Sequence, residues 1–231
     1  MDGYDERSYG DGFADVYDDW YADVSDIDAT VATLLELVDG GRVLELGIGT
    51  GRIAIPLARA GLEVVGIDTS SAMLDRLRAG TGAHAGVDAR IGNMVGPLPA
   101  GPFGLVLVAY NTLFNLTSEQ EQRACFAAVA DALAPGGRFV VEAFVPEIDD
   151  GNRDSTSSDV SLRTMTADQV VLSVSRRDPG RQLAEGQFIE ISEAGGVRLR
   201  PWAIRYSTPE QLDRMADDAG FDRESRWTSF A

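Results

Sequence analysis

Short apolar runs alternate with amphipathic helical segments through the middle of the chain. The runs that predict buried strands are Arg42–Leu46, Glu63–Ile67, Ala89–Ile91, Gly104–Ala109 and Arg138–Phe144. The helices predicted between them are Arg52–Ala60, Ser71–Arg78 and Glu119–Leu133. Strands that alternate with helices form βαβ units, in which helices cover both faces of a mostly parallel sheet. The sequence therefore predicts a doubly wound α/β fold.

The N-terminal forty residues predict two helices. Aromatic residues recur at every fourth position, at Tyr9, Phe13, Tyr17 and Tyr21, which places them on one face of a helix. Two interpretations of this helix stay open: it packs on the core, or it is a lid whose tyrosines reach into a ligand site and attract a cation. A second amphipathic helix is predicted over Ile27–Val38.

The pattern changes after Phe144. A polar, turn-rich stretch over Pro146–Ser158 predicts a loop, and alternating apolar and polar residues beyond it predict antiparallel strands. These strands are Gln169–Arg177, Leu183–Glu193 and Val197–Tyr206. A last helix over Glu210–Ala219, capped by Thr208, and an edge strand over Phe221–Trp227 complete the predicted elements.

These elements divide the chain into four parts. The 231 residues suit one domain with an insertion. We expect N-terminal lid helices in residues 1–40, a ligand-binding core in 41–145 and an inserted antiparallel β lid in 146–206. A C-terminal helix and edge strand in 207–231 would complete the core.

The charge of the chain narrows the class of ligand. The formal net charge is −17, so most of the surface would repel the phosphate backbone of DNA or RNA. The negative electrostatic field of such a surface favours a neutral or cationic small molecule as the ligand. We therefore expect no nucleic-acid partner. No run approaches the ~18 apolar residues of a membrane span, and the acidic N-terminus lacks the apolar core of a secretory signal. We therefore expect a cytoplasmic protein without a membrane partner.

Three glycines at alternate positions, Gly47, Gly49 and Gly51, connect the first predicted strand to a helix. Glycines allow a close approach of ligand atoms to the backbone, and the helix N-terminus offers free N–H groups to the same space. A dinucleotide fingerprint needs glycine at its first, third and sixth positions, but the sixth position here is Arg52. The loop therefore predicts a nucleoside-bearing ligand and disfavours a nicotinamide oxidoreductase.

The motif E-L-G-I-G-T-G-R, which starts at Glu45, resembles the nucleotide-binding loop of class I S-adenosylmethionine-dependent methyltransferases. In that family a second acidic motif, matched here by Asp68, accepts hydrogen bonds from both ribose hydroxyls. A helix N-cap is the alternative role of Asp68. Met73 matches the position that packs against adenine, and Asn93-Met94 matches the adenine-edge motif, where many relatives carry Asp in place of Asn93.

The resemblance spans about Arg42–Phe144, including the segment Leu105–Leu116 and the turn L-A-P-G-G-R. It implies a Rossmann-like fold and S-adenosylmethionine as the cofactor. With the predicted lid, it implies these cofactor-binding residues: Tyr9, Tyr17, Glu45, Gly47, Gly49, Gly51, Arg52, Asp68, Met73, Asn93, Met94, Ala109 and Asn111.

The sequence indicates less strongly which atom of the substrate accepts the methyl group. A hydroxyl acceptor usually needs a general base, whereas a neutral amine offers its own lone pair. The single histidine, His84, is predicted on the surface away from the reaction centre, and the single cysteine, Cys125, excludes a disulfide or a cysteine-based metal cluster. No metal-ligand spacing is visible. These features favour an N-methyltransferase, while Glu142, Tyr17 or a water molecule stays open as the base of an O-methyltransferase.

A finer resemblance connects residues 110–116, the lid tyrosines and the β insertion to antibiotic-pathway N-methyltransferases that act on amino sugars or lincosamide-type amines. It implies a small-molecule substrate and places Tyr17, Phe114 and Asn115 at the reaction centre. Trp202 and Arg205 would roof the pocket, or would serve strand packing or an oligomer interface. Two further interpretations stay open: a homo-oligomer that forms through the inserted sheet or the N-terminal helices, and a catalytically silent nucleoside-binding relative.

The C-terminus departs from the pattern of the family. Family members usually end with a hairpin whose last strand inserts antiparallel into the sheet. Here the sequence reaches Ala231 shortly after the first predicted strand of that hairpin. We expect either a truncated chain or a sheet edge that is completed in another way, because an uncovered edge promotes aggregation.

Overall fold

Two separate β-sheets organise the protein in a computed structural model that describes residues 1–22, 24–80, 86–146 and 156–230. The first sheet is parallel, and its five strands lie in the order β3-β2-β1-β4-β5. These strands are β1 Arg42–Leu46, β2 Val64–Asp68, β3 Val87–Ile91, β4 Phe103–Val108 and β5 Leu133–Val141. The order reverses between β1 and β4, so the carboxyl ends of these two strands flank a crevice in which ligands of open α/β sheets bind.

The α-helices are α1 Ser8–Phe13, α2 Tyr17–Trp20, α3 Ile27–Leu37, α4 Ala54–Arg59, α5 Ser71–Ala79, α6 Glu119–Ala132 and α7 Pro209–Asp218. Side-chain caps fix where several of them begin. The Ser118 hydroxyl accepts from the Glu121 amide at the start of α6, and Thr208 forms a capping box with Gln211 at the start of α7. The helices predicted after the first, second and fourth strands and after Thr208 are thus present.

Each face of the parallel sheet has its own apolar core. On one face, Phe126 and Val129 of α6 pack with Met215 of α7 against the sheet. On the other face, α3, α4 and α5 contribute Leu34, Leu57 and other apolar side chains. Residues 105–108 of β4 are fully buried because helices cover both of its faces. The predicted doubly wound, Rossmann-like α/β fold is confirmed.

The second sheet is antiparallel, with four strands in sequential order. They are β6 Ser157–Met165, β7 Gln169–Asp178, β8 Leu183–Ser192 and β9 Gly196–Arg205. The three predicted strands of the insertion are present, and β6 was not predicted. Its residues are mostly polar and all are exposed, so its alternation is weak. No described helix combines the length and apolar character needed to cross a membrane.

The aromatic N-terminal segment forms two short helices rather than one. The chain leaves the helical path after Phe13 and resumes it at Tyr17. At this break the Asp15 carboxylate accepts hydrogen bonds from the guanidinium of Arg200 in β9. A tertiary ion pair therefore replaces the continuous helix that the spacing of four predicted.

The predicted edge strand over Phe221–Trp227 is wrong: the described residues 221–230 form no strand. Instead, the tail covers β5 with side chains. Arg138 Nε donates to Glu224 Oε2 at 2.8 Å, and the rings of Phe139 and Phe221 lie 5.8 Å apart. The tail therefore covers the apolar edge of the core and adds no strand to the described sheet.

Candidate functional site

The glycine loop forms one wall of a cleft at the carboxyl end of β1. Gly47 and Gly49 have φ values of +73° and +55°, which disfavour residues with a Cβ. A Cβ built on Gly47 would lie 2.3 Å from Thr112 Cγ2, so glycine lets the loop beyond β4 approach closely. At Gly49 the same construction meets no atom within 4 Å. The backbone at Gly49 is therefore open to a ligand.

Asp68, at the end of β2, is held by the glycine loop and by the start of α5. The Gly49 amide donates to its Oδ2 at 2.9 Å, and the Ser70 amide donates to its Oδ1 at 2.8 Å. Ser70, rather than Asp68, caps α5, because its hydroxyl accepts from the Met73 amide. Each carboxylate oxygen keeps a second lone pair. Burial raises the pKa of Asp68, and the two backbone donors oppose that shift.

The cleft beyond Asp68 has a volume of about 750 Å³, which includes its mouth. Met73 of α5 is almost fully buried and lines it. The Asn93 oxygen accepts from the Val95 amide at 3.0 Å, so one of its two lone pairs already serves the turn after β3. The predicted residues that line this part of the site are Tyr9, Tyr17, Gly47, Gly49, Asp68, Met73, Asn93, Met94 and Asn115.

A second, smaller cavity lies on the other side of the loop. Its lining includes Glu45, Arg52, Ala109 and Tyr110, and it shares Tyr17 with the first cavity. Burial raises the pKa of Glu45 to about 8.

Two polar atoms of the residues that line the smaller cavity are buried and lack a hydrogen-bond partner in the described part of the chain. They are Glu45 Oε2 and Arg52 Nε. One is an acceptor and the other a donor, and buried polar atoms without partners are rare in folded proteins. Their chemistry matches the ammonium and carboxylate ends of an amino acid.

Arg52 also connects the glycine loop to the lid. Its guanidinium stacks over the Tyr110 ring at 4.2 Å and donates to the Tyr21 carbonyl and to the Ser25 hydroxyl. Gly51 stands against Ile55 and Leu77, so it serves helix packing next to the loop.

The N-terminal segment closes over these cavities. Three hydroxyls of the ligand-binding loops bond to it: Thr50 to Asp18 Oδ1 at 2.6 Å, Ser70 to Asp11 Oδ1 at 2.6 Å, and Thr69 to the carbonyl of Glu6 at 2.7 Å. We call residues 4–22 the lid.

The lid tyrosines are partly buried. Tyr9 stacks on Phe13 with ring centroids 4.5 Å apart, and its hydroxyl lies 3.3 Å from that of Tyr21. Burial raises the pKa of Tyr9 and of Tyr17, so both phenols stay protonated at neutral pH. Both sequence-based interpretations of this segment apply, because its aromatic face packs on the protein and also lines the cleft.

The backbone turns sharply where β4 enters the site. Tyr110 and Asn111 have φ values of +52° and +64°, an uncommon conformation for two successive non-glycine residues. Glu142 holds this turn: its Oε2 accepts from the Tyr110 amide and its carbonyl accepts from the Asn111 amide, both at 3.0 Å. The turn directs the 3₁₀ helix Thr112–Asn115 along the cleft.

Three predicted site residues lie elsewhere. The Asn111 side chain faces the backbone and accepts from the Phe144 amide at 2.6 Å. Phe114 is fully buried, 5.2 Å from the Phe144 ring, and belongs to the core behind the cleft. Arg205 anchors β9 to α6 through Gln122 Oε1 at 2.9 Å and does not roof the pocket. An apolar or polar residue type alone does not distinguish a cleft wall from the layer behind it.

The structure also locates the remaining candidates and adds residues that the sequence did not mark. Trp202, the other predicted roof residue, is not among the described residues that line either cavity; it packs in the cluster of lid aromatics, and its Nε1 is buried with no partner among the described residues. Tyr4, Glu6 and Thr69 line the cleft, although no motif marks them. Thr112, within the segment Leu105–Leu116 that carries the resemblance, lines both cavities. His84 falls outside the described residues, and Cys125 is buried in the core with its pKa raised to about 12 by burial.

Comparisons with known proteins agree with this geometry. The sequence model of a family described as "Methyltransferase domain" matches residues 43–137. Cypemycin N-terminal methyltransferase from a Streptomyces species is 33% identical over 109 residues, which cover 47% of this chain and 44% of that protein. The chain thus matches less than two thirds of the length of the first curated relatives.

The structure of the CcbJ methyltransferase from Streptomyces caelestis matches over 94% of this chain and 88% of its own, with a TM-score of 0.82 and 40% identity. The chain belongs to the class I S-adenosylmethionine-dependent methyltransferases. CalS10, an amino pentose methyltransferase from Micromonospora echinaspora involved in calicheamicin biosynthesis, was solved with S-adenosylmethionine bound. It shares the fold of this methyltransferase at 24% identity, with a TM-score of 0.66 over 89% of this chain and 88% of its own. S-adenosylmethionine is the cofactor.

Proposed function

We propose that this methyltransferase transfers the methyl group to an amine nitrogen of a small natural-product intermediate. The observation that carries the proposal is the set of ionisable groups that line the larger cavity: the carboxyl groups of Glu6 and Asp68 and the phenols of three tyrosines, with no basic side chain among the described lining residues. Carboxylates and aromatic faces both favour a cation. Carboxylates and aromatic rings therefore suit a reaction in which positive charge passes from the sulfur of the methyl donor to the accepting nitrogen.

The cofactor would be held by residues on both sides of the glycine loop. Asp68 is oriented by two backbone amides and would accept from the ribose hydroxyls, while Met73 and Asn93 would contact the adenine. On the other side, Glu45 Oε2 and Arg52 Nε would bind the amino-acid end, which supplies the partners they lack. When bound, S-adenosylmethionine supplies an activated methyl group on a positively charged sulfur.

The chain itself would align the reacting atoms and exclude water from the site. Tyr17 lines both cavities, so its ring would lie over the middle of the cofactor, and Asn115 would orient the acceptor from the opposite wall. The closed lid excludes water, and alignment of the reacting atoms supplies up to ~7–11 kcal/mol in favourable cases. A neutral amine needs no base before the transfer.

The alternative is O-methylation. Ubiquinone biosynthesis O-methyltransferase from a Bradyrhizobium strain is 27% identical and matches 79% of this chain. Against this alternative, burial keeps the Tyr17 phenol protonated, and Glu142 is not among the described residues that line either cavity. The name of cypemycin N-terminal methyltransferase supports nitrogen as the acceptor.

A screen of small amines against matched alcohols and phenols tests the proposal. Methyl transfer is followed by mass spectrometry with S-adenosylmethionine as the donor. We expect turnover of amines, with kcat/KM rising with pH until the free acceptor amine is deprotonated. Transfer to phenols alone, with a rate that follows the titration of an enzyme group, would assign the chain to O-methylation instead.

A further inference from the structure

An arginine of β6 reaches across to the lid. Arg163 Nη2 donates to the carbonyl of Trp20 at 3.1 Å. The guanidinium carbon lies 4.7 Å from the centroid of the Trp20 ring, 5.1 Å from that of Phe188 and 5.6 Å from that of Tyr21. A guanidinium within about 6 Å of an aromatic face is attracted by the ring. Arg163 therefore binds the end of α2 through both its backbone and its side chains.

The backbone of β6 is shaped to direct this side chain. Leu162 is paired with Leu172 and Thr164 with Val171, so β6 has one residue more than β7 at this point, and that residue is Arg163. Such a β-bulge changes the direction of a side chain and is frequent beside active sites. Every residue of β6 is exposed, so core packing does not hold Arg163 there. The bulge therefore serves to aim Arg163 at the lid.

A second arginine binds the next carbonyl at the same end of α2. The guanidinium of Arg52, in the glycine loop, donates to the carbonyl of Tyr21. The last carbonyls of a helix have no partner within the helix, so donors from elsewhere fix its end. Arg163 fixes the Trp20 carbonyl from the inserted sheet, and Arg52 fixes the Tyr21 carbonyl from the glycine loop. The end of α2 thus connects the two arginines.

This end of α2 also holds the residues beside the smaller cavity. The Tyr21 ring lies 4.9 Å from the ring of Tyr17, which lines both cavities. Arg52 lines the smaller cavity, where its Nε is buried and has no partner among the described residues. A shift of Tyr21 would therefore move both Tyr17 and Arg52 at this cavity.

We propose that Arg163 is a positioning residue for the amino-acid end of S-adenosylmethionine. Arg163 is not among the described residues that line either cavity, so it would act through Tyr21 and Arg52. The inference rests on the proposed binding of the amino-acid end by Arg52. The nucleoside end would be independent of Arg163, because Asp68 and Asn93 are held by backbone amides of their own and neighbouring loops.

Two ligands that differ in the amino-acid end test this role. S-adenosylhomocysteine carries that end, whereas 5′-methylthioadenosine keeps the nucleoside and the sulfur but ends in a methyl group. In titration calorimetry, Arg163→Met should raise the dissociation constant of S-adenosylhomocysteine about fivefold, because the cation–π contacts that hold Tyr21 are lost. The constant of methylthioadenosine should change less than about twofold, and its retained binding also shows that the variant is folded.

Arg198→Met is the matched control. Arg198 is another exposed arginine of the inserted sheet that contacts the lid, but its partner is Asp15, which precedes α2. This variant should leave both dissociation constants unchanged. Arg163→Lys should recover part of the lost affinity for S-adenosylhomocysteine, because its ammonium still donates to the Trp20 carbonyl.

Arg52→Met separates this inference from the binding mode on which it rests. It should weaken binding of S-adenosylhomocysteine far more than that of methylthioadenosine. If Arg52→Met weakens both ligands equally, the amino-acid end is not bound by Arg52 and the inference fails with that assignment. If Arg52→Met is selective but Arg163→Met weakens both ligands equally, or neither, Arg163 has no positioning role. These measurements use binding alone, so they do not depend on the accepting atom.

Discussion

Asp68 connects three parts of the site through one side chain: the glycine loop, the start of α5 and the cleft. Its carboxylate accepts two backbone hydrogen bonds and still presents lone pairs to a ligand. This arrangement fixes the orientation of the carboxylate before the cofactor arrives. Pre-orientation reduces the entropic cost of binding.

Asp68→Ala should raise the dissociation constant for S-adenosylhomocysteine by roughly tenfold or more, because a lost hydrogen bond to a charged group costs ~1.5–3 kcal/mol. Titration calorimetry measures the change. Asp75→Ala, which removes an equal charge from an exposed position of α5, is the control. An unchanged constant for Asp68→Ala would count against the ribose role.

The buried carboxyl group of Glu45 should make the stability of the cofactor-free protein depend on pH. Burial raises the pKa of Glu45 to about 8, above the ordinary value of 4.5 that the group has in an unfolded chain. Between these values the folded state holds a proton that the unfolded state releases, so this group lowers stability as pH rises. Chemical denaturation should show that Glu45→Gln weakens the fall in unfolding free energy from pH 5 to pH 8. Identical pH slopes for both proteins would contradict the assignment.

At the scale of elements, the lid is attached to the inserted sheet by one buried cation. Arg200 donates to the Gly12 carbonyl and Asp15 Oδ1, both at 2.6 Å, and to Glu190 Oε2 at 2.6 Å. Arg198 contacts the same Asp15 at 2.6 Å, but its side chain is 51% exposed. The two arginines thus bind the same carboxylate under different degrees of burial.

Arg200→Met should destabilise the lid by about 3–5 kcal/mol, because it leaves carboxylates without their buried partner. Arg198→Met should cost no more than about 1 kcal/mol, since water screens exposed ion pairs. Hydrogen exchange over residues 8–22 compares the two variants. Equal protection in both would show that burial of Arg200 does not hold the lid.

At the scale of the whole molecule, the sequence was most informative where local patterns determine the structure. Apolar runs, glycine turns and capping residues predicted the parallel sheet and its helices, because these signals act within a few residues. The cleft was predicted through Asp68 and the glycine loop. These positions carry motifs whose chemistry does not depend on distant contacts.

Elements that depend on distant contacts were missed. β6 is polar and is ordered by pairing with β7, and the break in the N-terminal helix follows from Arg200, far away in sequence. Phe114 was assigned to the cleft because the sequence does not reveal which side of a loop meets the core. The tail lacks a strand because Phe221 and Glu224 contact β5 through side chains.

The bonds between the lid and the loop hydroxyls have a kinetic consequence. Thr50, Thr69 and Ser70 stand next to the residues that would hold the cofactor, and each bonds to the lid. We therefore expect these three bonds to open each time S-adenosylhomocysteine is exchanged for a fresh donor. Lid opening often limits turnover in such enzymes. Rapid-quench experiments should show a burst of methylated product equal to the enzyme concentration, and Thr50→Val should raise the steady rate that follows.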